Sequence, residues 1–328
     1  MSYELAFNFL LIAIGIFILI RSGVYIVRSL IELAHFLRIS EFTLSFILMA
    51  FATTLPEFAI GLNSAFSGQP LISLGNILGA NILNLSLTLG LVALISGQLL
   101  ISHKPKEIAA SHHWLTLFLG MTPIILLVDL KLSRLDGIIL ILLFLIYLAR
   151  LIRLREVLHN GKSFWLSQFH HPVGLEIKNF FKNLLIFVVA VGFLLFSASI
   201  IIKSSQAISL KTGMSQLLVG VFIVALGTTL PELAFGLRAA FRQHAELSLG
   251  NLFGATALNS TWILGIVALI SPIEVKASIP FLISAITMIL VLFLANLFLQ
   301  TRNAISRKEG LILISIYLIF LFIQFILL

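Results

Sequence analysis

One segment of this 328-residue chain occurs twice. Residues 50–96 match residues 225–271 at 26 of 47 positions, at a constant offset of 175. Both copies contain Thr-Thr-Leu-Pro-Glu inside a long apolar stretch, so that Glu57 and Glu232 occupy equivalent positions. A carboxylate inside a bilayer costs several kcal/mol, roughly 3 on insertion scales. A chain that bears this cost at two matched positions is predicted to use the charges to bind a cation.

The composition indicates a membrane protein. Hydrophobic residues make up 60% of the chain and charged residues only 10%, whereas a soluble domain carries about 25% charged residues. We expect an all-α integral membrane protein, because the apolar runs are continuous and barrel strands would alternate with a period of two. The runs predict ten transmembrane helices, at residues 4–20, 40–66, 71–98, 114–129, 136–152, 180–202, 214–241, 246–271, 279–299 and 309–328.

The sequence repeat divides these spans into two sets of five. Residues 1–152 hold the first set and residues 180–328 the second, and each set includes one copy of the repeated segment. Because five is odd, the second set must enter the membrane from the opposite side. The result would be two inverted five-helix repeats, an architecture shared by many secondary transporters. The polar residues 153–179 between them are predicted to form a cytoplasmic linker.

The basic residues predict the orientation. If the N-terminus lies outside, 16 of the 21 Lys and Arg residues fall in inner loops. The outer loops carry the other five, Lys131, Arg134, Lys203, Lys211 and Lys276. This positive-inside asymmetry places both termini outside, and it explains the net charge of +8 without nucleic acid as a partner. The first four residues carry no positive charge, so we do not expect a cleaved signal peptide.

The repeated motif offers several oxygen ligands. Thr53 and Glu57 lie four residues apart and share a helix face, with Thr54 beside them. Pro56 lacks an N–H group and should free the backbone carbonyl four residues earlier. The second copy repeats the arrangement with Thr228, Thr229, Pro231 and Glu232. Hydroxyl, carbonyl and carboxylate oxygens are the ligands that Ca²⁺ and alkali cations prefer.

The next span supplies amide oxygens and small residues. Asn84 and its repeat Asn259 can each offer an amide oxygen to the same cation. Gly75 and Gly79 form a small-xxx-small surface, which we interpret as a site of close helix packing. Structural roles stay open for the other polar residues, because a threonine commonly bonds its own backbone and an asparagine can link two helices. The glutamates are the exception, since a carboxylate without a function is disfavoured in lipid.

Other types of site receive no support from the sequence. The eight histidines lie in or beside loops, and their spacing does not predict a closed metal site. The chain has no cysteine, which excludes disulfides and thiolate ligands, and it has no phosphate-binding loop that would indicate transport driven by ATP. We therefore expect a transporter without a cofactor, and not an enzyme.

At these residues the chain resembles the calcium/cation antiporter superfamily, specifically its sodium/calcium exchanger family of prokaryotic type. The resemblance implies a secondary antiporter that exchanges Ca²⁺, or a similar cation, for Na⁺ by alternating access, while helices one and six slide across a fixed core. It also implies that the backbone carbonyls of Ala50 and Ala225 are ligands. The expected metal ligands are then Glu57, Glu232, Thr53, Thr228, Thr54, Thr229, Asn84, Asn259, Ala50 and Ala225.

Three residues depart from the family pattern. Ala80 and Ala255 stand where serine hydroxyls usually help to form sodium sites, and Asn259 stands where relatives often carry aspartate. We therefore expect poorer sodium sites, which leaves a Ca²⁺/H⁺ antiporter as an alternative. A channel and a non-transporting membrane cation-binding protein are further alternatives. We expect a multi-pass protein of the plasma (inner) membrane, with inorganic cations and the lipid bilayer as its partners and no regulatory domain.

Overall fold

The structure is a computed structural model that describes residues 3–36, 51, 53–100, 106–159, 173–242, 245–302 and 304–327. The described chain is mainly helical, and six of its helices are long and apolar enough to cross a membrane, or seven if one bent pair counts as a single span. This agrees with the predicted class of helical membrane protein. The number of ten spans stays a prediction, because part of the predicted span 40–66 lies outside the described residues, Trp114–Asp129 is only a shorter apolar helix, and the predicted span 136–152 is not among the helices long and apolar enough.

Eleven helical segments position the site. In chain order they are α1 (Tyr3–Phe36), α2 (Leu55–Phe66), α3 (Pro70–Ser96), α4 (Lys106–Leu126), α5 (Arg134–His159), α6 (Val173–Thr212), α7 (Gln216–Thr228), α8 (Leu230–Phe241), α9 (Ala245–Leu258, continued by Leu264–Ile270), α10 (Ile279–Arg302) and α11 (Arg307–Ile326). Because α5 ends at His159 and α6 begins at Val173, helix occupies both ends of the predicted linker 153–179. The middle of that linker, residues 160–172, lies outside the described residues.

Within the described residues, three helices contain a five-residue π-helical turn. These turns are Asn84–Thr88 in α3, Gly220–Val224 in α7 and Asn259–Ile263 in α9. The first and third occupy equivalent positions of the sequence repeat, since 84 plus 175 is 259. A π turn shifts the phase of the residues that follow it, and such turns are frequent at functional sites.

Helices α3 and α7 cross with their backbones in contact. A Cβ atom added at Gly75 would lie 2.1 Å from the carbonyl oxygen of Leu217, and one added at Gly79 would lie 2.5 Å from that of Val221. On the other helix, a Cβ atom at Gly220 would lie 2.4 Å from the carbonyl oxygen of Ile72. Only glycine permits this approach, which confirms the close packing predicted from the Gly75 and Gly79 pair.

Two short antiparallel ladders join the ends of the helices. Strand β1 (Gln98–Leu100) pairs with β4 (Ala304–Ser306), and β2 (Lys131–Leu132) pairs with β3 (Ile273–Glu274). In the second ladder Lys131 Nζ lies 2.8 Å from Glu274 Oε1. Strand β3 begins 175 residues after β1, so the ladders follow the offset of the sequence repeat.

Helices α1 and α6 form a pair that packs along its length. A Cβ atom added at Gly15 of α1 would lie 2.7 Å from Ile201 Cγ1 of α6. At one end of the pair, Glu4 and Lys211 form an ion pair, so the helices run in opposite directions. A separate apolar cluster lies between this pair and the rest of the protein, and it includes Leu19, Ala59, Ile60, Ile72, Ala198 and Ile201.

Candidate ion-binding site

The two glutamates lie buried inside the helical bundle. Glu57 and Glu232 are both fully buried, and their carboxylates are close enough to interact electrostatically. Within the described residues, none of their four carboxylate oxygens has a hydrogen-bond partner. Two negative charges in a medium of low dielectric constant repel each other and lack the solvation of water. A cation bound between the two carboxylates would therefore stabilise them.

Breaks in the helices place both glutamates at helix starts. Thr54 is the N-cap of α2 and Thr229 is the N-cap of α8, and each helix has its proline in the first two positions. Glu57 and Glu232 therefore lie in the first turns, where the positive end of the helix dipole favours a carboxylate. The axis bends by 43° between α7 and α8. The predicted span 214–241 is therefore interrupted at the Thr-Thr-Leu-Pro-Glu motif.

Two threonine–asparagine pairs cross between the repeated segments. Thr228 Oγ1 donates to Asn76 Oδ1 at 2.9 Å, and Thr53 Oγ1 donates to Asn251 Oδ1 at 3.2 Å. The two pairs are exchanged by the repeat, because 53 plus 175 is 228 and 76 plus 175 is 251. Thr228 lies beside Glu57, and Thr53 lies beside Glu232. These hydroxyls therefore connect one segment to the other at the carboxylates.

Three of the other predicted ligands are engaged with the backbone. Thr54 Oγ1 donates to the carbonyl of Phe51 at 3.3 Å, and Thr229 Oγ1 donates to that of Ala225 at 2.5 Å. The Ala225 carbonyl also accepts the N–H group of Thr229 at 3.1 Å. The backbone role of threonine that the sequence left open is therefore present at Thr54 and Thr229, whereas Thr228 Oγ1 makes its shorter bond to Asn76 and only a longer one, of 3.4 Å, to the carbonyl of Ala225. Ala50 lies outside the described residues.

The prediction of a free carbonyl at residue 227 was wrong. The carbonyl of Gly227 accepts a hydrogen bond from a backbone N–H group at the C-cap that ends α7. That donor is the N–H group of Thr229, which the carbonyls of Ala225 and Gly227 share, so this shared bond takes the place of the one that Pro231 cannot supply. The corresponding residue of the first copy, Ala52, lies outside the described residues.

The two predicted asparagines each begin a π turn. Asn84 and Asn259 are fully buried, and the π turns of α3 and α9 pack against α8 and α2, the helices of the glutamates. Among the described residues, neither end of the Asn84 amide has a hydrogen-bond partner. Asn259 differs, because its Nδ2 donates to Asn81 Oδ1 at 3.1 Å while its Oδ1 lacks a partner in the same part of the chain.

The structure adds residues that the sequence reasoning did not select as site residues. Asn76 and Asn251 hold the threonines, and Asn81 holds Asn259. Identity across the repeat at Asn76 and Asn251 was a signal that could have found the first two. Asn81 aligns with Thr256, so the repeat gave no such signal for it.

The chemistry of the site is that of oxygen ligands for a hard cation. Among the described residues, no group of three or more His, Cys, Asp or Glu side chains converges. The side chains near the glutamates offer hydroxyl and amide oxygens as ligands, which suit Ca²⁺ and alkali cations better than they suit transition metals.

Fold and site together define a helical integral membrane protein with two buried glutamates at its centre. The chain belongs to the sodium/calcium exchanger protein family, whose model matches residues 7–153 and 182–326. These two matched regions together account for most of the chain. Membership confirms the predicted family resemblance, and it confirms a transporter rather than an enzyme.

Related proteins match the chain over nearly its full length. The putative antiporter CaxA of Alkalimonas amylolytica is 26% identical over 316 residues, which cover 96% of this chain and 97% of that protein. The sodium/calcium exchanger MaX1 of Methanosarcina acetivorans is 25% identical over 349 residues, covering 97% and 98%. A structure of the sodium-calcium exchanger NCX_Mj, soaked with Na⁺ and Sr²⁺, superimposes with a TM-score of 0.61 at 25% identity, covering 97% of this chain and 98% of that one.

Proposed function

We propose that this protein is a secondary antiporter that exchanges Ca²⁺, or a similar cation, for Na⁺. The observation that carries the proposal is the pair of buried carboxylates, Glu57 and Glu232, whose oxygens lack hydrogen-bond donors within the described residues. A divalent cation between them would neutralise both charges. The names of the relatives support the same assignment, since CaxA is a putative antiporter and both MaX1 and NCX_Mj are sodium/calcium exchangers.

The side chains around the carboxylates supply further oxygen ligands. Ca²⁺ takes six to eight oxygen ligands at about 2.3–2.6 Å. Of the predicted set, the side chains of Thr53, Thr228, Asn84 and Asn259 are the best placed to join the glutamates. Thr54, Thr229 and the Ala225 carbonyl serve better as supports of the helix breaks, because hydrogen bonds to and from the backbone already engage them. Ala50 remains a proposed ligand by family resemblance.

The proposed architecture has ten transmembrane helices in two inverted five-helix repeats. The first repeat occupies residues 1–152 and the second residues 180–328, with the cytoplasmic linker 153–179 between them and both termini outside. The crossed threonine–asparagine pairs and the equivalent π turns support a two-fold relation between the repeats. A multi-pass location in the plasma (inner) membrane fits this architecture and the positive-inside asymmetry.

Alternating access would result from movement of α1 and α6 across the remaining helices. The two helices pack mainly against each other, and an apolar cluster separates them from the bundle. They also touch the site, since Ile16 Cδ1 of α1 lies 2.1 Å from the position of a Cβ atom at Gly227. The protein would exchange ions and not leak them, because two buried carboxylates without a bound cation oppose the change between the outward-facing and inward-facing states.

A Ca²⁺/H⁺ antiporter is the second candidate function. Ala80 and Ala255 are buried in α3 and α9 and provide no hydroxyl there, and Asn259 is neutral. The sodium sites then have fewer oxygen ligands, whereas the two carboxylates could accept protons in place of sodium ions.

Uptake of Ca²⁺ into proteoliposomes under imposed ion gradients tests both candidates. For a sodium/calcium exchanger we expect uptake that follows an outward Na⁺ gradient and persists without a pH gradient. Uptake that follows only a pH gradient would select the proton antiporter. Ca²⁺ binding without uptake under any gradient would indicate a non-transporting protein, and uptake that is independent of any counter-ion would indicate a channel.

A further inference from the structure

Asn259 is one member of a chain of hydrogen bonds that crosses between the two repeated segments. Asn259 Nδ2 donates to Asn81 Oδ1 at 3.1 Å, and Asn81 Nδ2 donates to Ser260 Oγ at 2.9 Å. All three side chains are buried. Asn81 lies on α3 and its two partners lie in the π turn of α9. Both ends of the Asn81 amide are therefore engaged, because Oδ1 accepts from Asn259 and Nδ2 donates to Ser260.

Within the described residues, the first repeated segment and the second do not form an equivalent chain of hydrogen bonds around Asn84. Thr256 replaces Asn81 in the repeat, and its Oγ1 donates to the carbonyl of Leu252 on its own helix at 2.9 Å. Accordingly, Asn84, the counterpart of Asn259, has no hydrogen-bond partner at either end of its amide within the described residues. One half of the site therefore has a fixed amide and the other half does not.

Orientation matters because the two ends of an amide have opposite polarity. The Oδ1 end attracts a cation, whereas the Nδ2 end is a donor and repels it. In Asn259 the donor end is directed to Asn81, so the acceptor end is the one left without a partner. If Asn81 reversed its amide, Ser260 Oγ would have to donate instead of accept, and the Asn259 amide would have to reverse as well.

We propose that Asn81 is a positioning residue, which orients the Asn259 amide so that its oxygen faces the transported cation. The inference rests on the proposed function, since it assumes that the cation binds beside Asn259. A carboxylate at residue 259 would need no such orientation, because it has an oxygen at both ends. Asn81 would then serve only as one hydrogen-bond partner among others.

The test compares one substitution in two backgrounds. Ca²⁺ affinity of the purified full-length protein is measured by isothermal titration calorimetry for Asn81→Leu alone and for Asn81→Leu combined with Asn259→Asp. Leucine has a similar size and no hydrogen-bonding group. We expect Asn81→Leu to weaken Ca²⁺ binding about 10-fold when residue 259 is asparagine, as for the loss of one oriented ligand. When residue 259 is aspartate, we expect Asn81→Leu to weaken Ca²⁺ binding less than about 3-fold.

A merely structural role for Asn81 predicts a different result. If Asn81 only packed α3 against α9, its replacement would weaken binding by the same factor in both backgrounds, and this result would overturn the proposal. The matched control is Thr256→Val at the equivalent position, which should leave Ca²⁺ affinity unchanged because its hydroxyl bonds its own helix. If Asn81→Leu does not fold, Ser260→Ala takes its place in the same two backgrounds, with a loss of about 3-fold expected only beside asparagine.

Failure of the proposed function would look different. If Glu57→Gln and Glu232→Gln left Ca²⁺ binding unchanged, both the cation site and the role of Asn81 would be wrong. If those variants abolished binding while Asn81→Leu acted equally in the two backgrounds, only the role of Asn81 would be wrong.

Discussion

The two halves of the site are equivalent at the carboxylates and different at the asparagines. Glu57 and Glu232 share the same burial, the same position at a helix start, and a threonine from the opposite segment. Asn84 and Asn259 also occupy equivalent π turns, but only Asn259 has a hydrogen-bond partner among the described residues. The repeat therefore preserves the two carboxylates and breaks the symmetry between the two asparagines that we propose as neutral ligands.

This difference separates two requirements of a cation site, charge balance and discrimination between cations. Charge balance requires two carboxylates that act together, and neither can be lost without changing the total charge. Discrimination between cations depends on how many neutral oxygens reach the ion and how firmly they are held. A repeat that has diverged at residue 81 and residue 256 can thus adjust the second property while leaving the first intact.

The largest effect is expected from removal of either carboxylate charge. Glu57→Gln and Glu232→Gln should each reduce Ca²⁺ uptake into proteoliposomes on the order of 100-fold or more. Each variant would leave part of the charge of a bound Ca²⁺ uncompensated in a buried site, which costs about 3–5 kcal/mol, and each 1.4 kcal/mol is about tenfold in affinity. Because the two positions are equivalent, the two losses should agree with each other.

The matched control is Glu274→Gln, which removes a carboxylate from an exposed strand and should retain uptake. If one of the two buried glutamates could be replaced with little loss, the equivalence of the halves at the carboxylates would be contradicted.

An intermediate effect is expected from the crossed threonines. Thr53→Val and Thr228→Val remove the donor to Asn251 and Asn76 and one oxygen beside a glutamate. Each should weaken Ca²⁺ binding about 10-fold, since an unpaired buried polar group costs about 1–3 kcal/mol. The measurement is Ca²⁺ affinity by titration calorimetry.

The adjacent threonines provide the matched comparison. Thr54→Val and Thr229→Val remove hydroxyls that bond the backbone of their own segment, and each should change Ca²⁺ affinity less than about 3-fold. Larger losses at Thr54 and Thr229 than at Thr53 and Thr228 would reverse the proposed assignment of ligands.

Sequence reasoning predicted the parts of this site that the repeat itself marks. The buried positions of Glu57 and Glu232 followed from the cost of charge in an apolar run, and the close approach at Gly75 followed from residue size. Each of these inferences needs only local chemistry and the comparison of one copy with the other.

The contacts between the copies could not be predicted in the same way. Thr228 and Asn76 are 152 residues apart, so their hydrogen bond depends on how α3 crosses α7. The π turns change the phase of the helix beyond Asn84 and Asn259, and a uniform period of 3.6 residues does not contain them. Whether the Thr229 hydroxyl bonds its own backbone depends on its side-chain rotamer, and packing against neighbouring residues determines that rotamer.

The smallest effect is expected at the two strand ladders, which also differ from each other. The ladder of β2 and β3 carries the ion pair Lys131–Glu274, whereas the ladder of β1 and β4 pairs no charged residues. Glu274→Gln should lower the melting temperature of the purified protein slightly and leave Ca²⁺ uptake unchanged, because exposed ion pairs contribute little and are screened by salt. Thermal unfolding in detergent at several pH values is the measurement.

The pH dependence of this small effect has a definite sign. The hydrogen bond and charge of Lys131 lower the pKa of Glu274 from its ordinary value of 4.5, and those of Glu274 raise the pKa of Lys131 from 10.5. The stabilisation from Glu274 is therefore present above pH 4.5 and is lost as the pH falls through its lowered pKa, whereas that from Lys131 is lost as the pH rises through its raised pKa. The difference in melting temperature between the protein and Glu274→Gln should be constant at neutral pH and vanish in acid. A difference that grew in acid would show that Glu274 stabilises the ladder by something other than its charge.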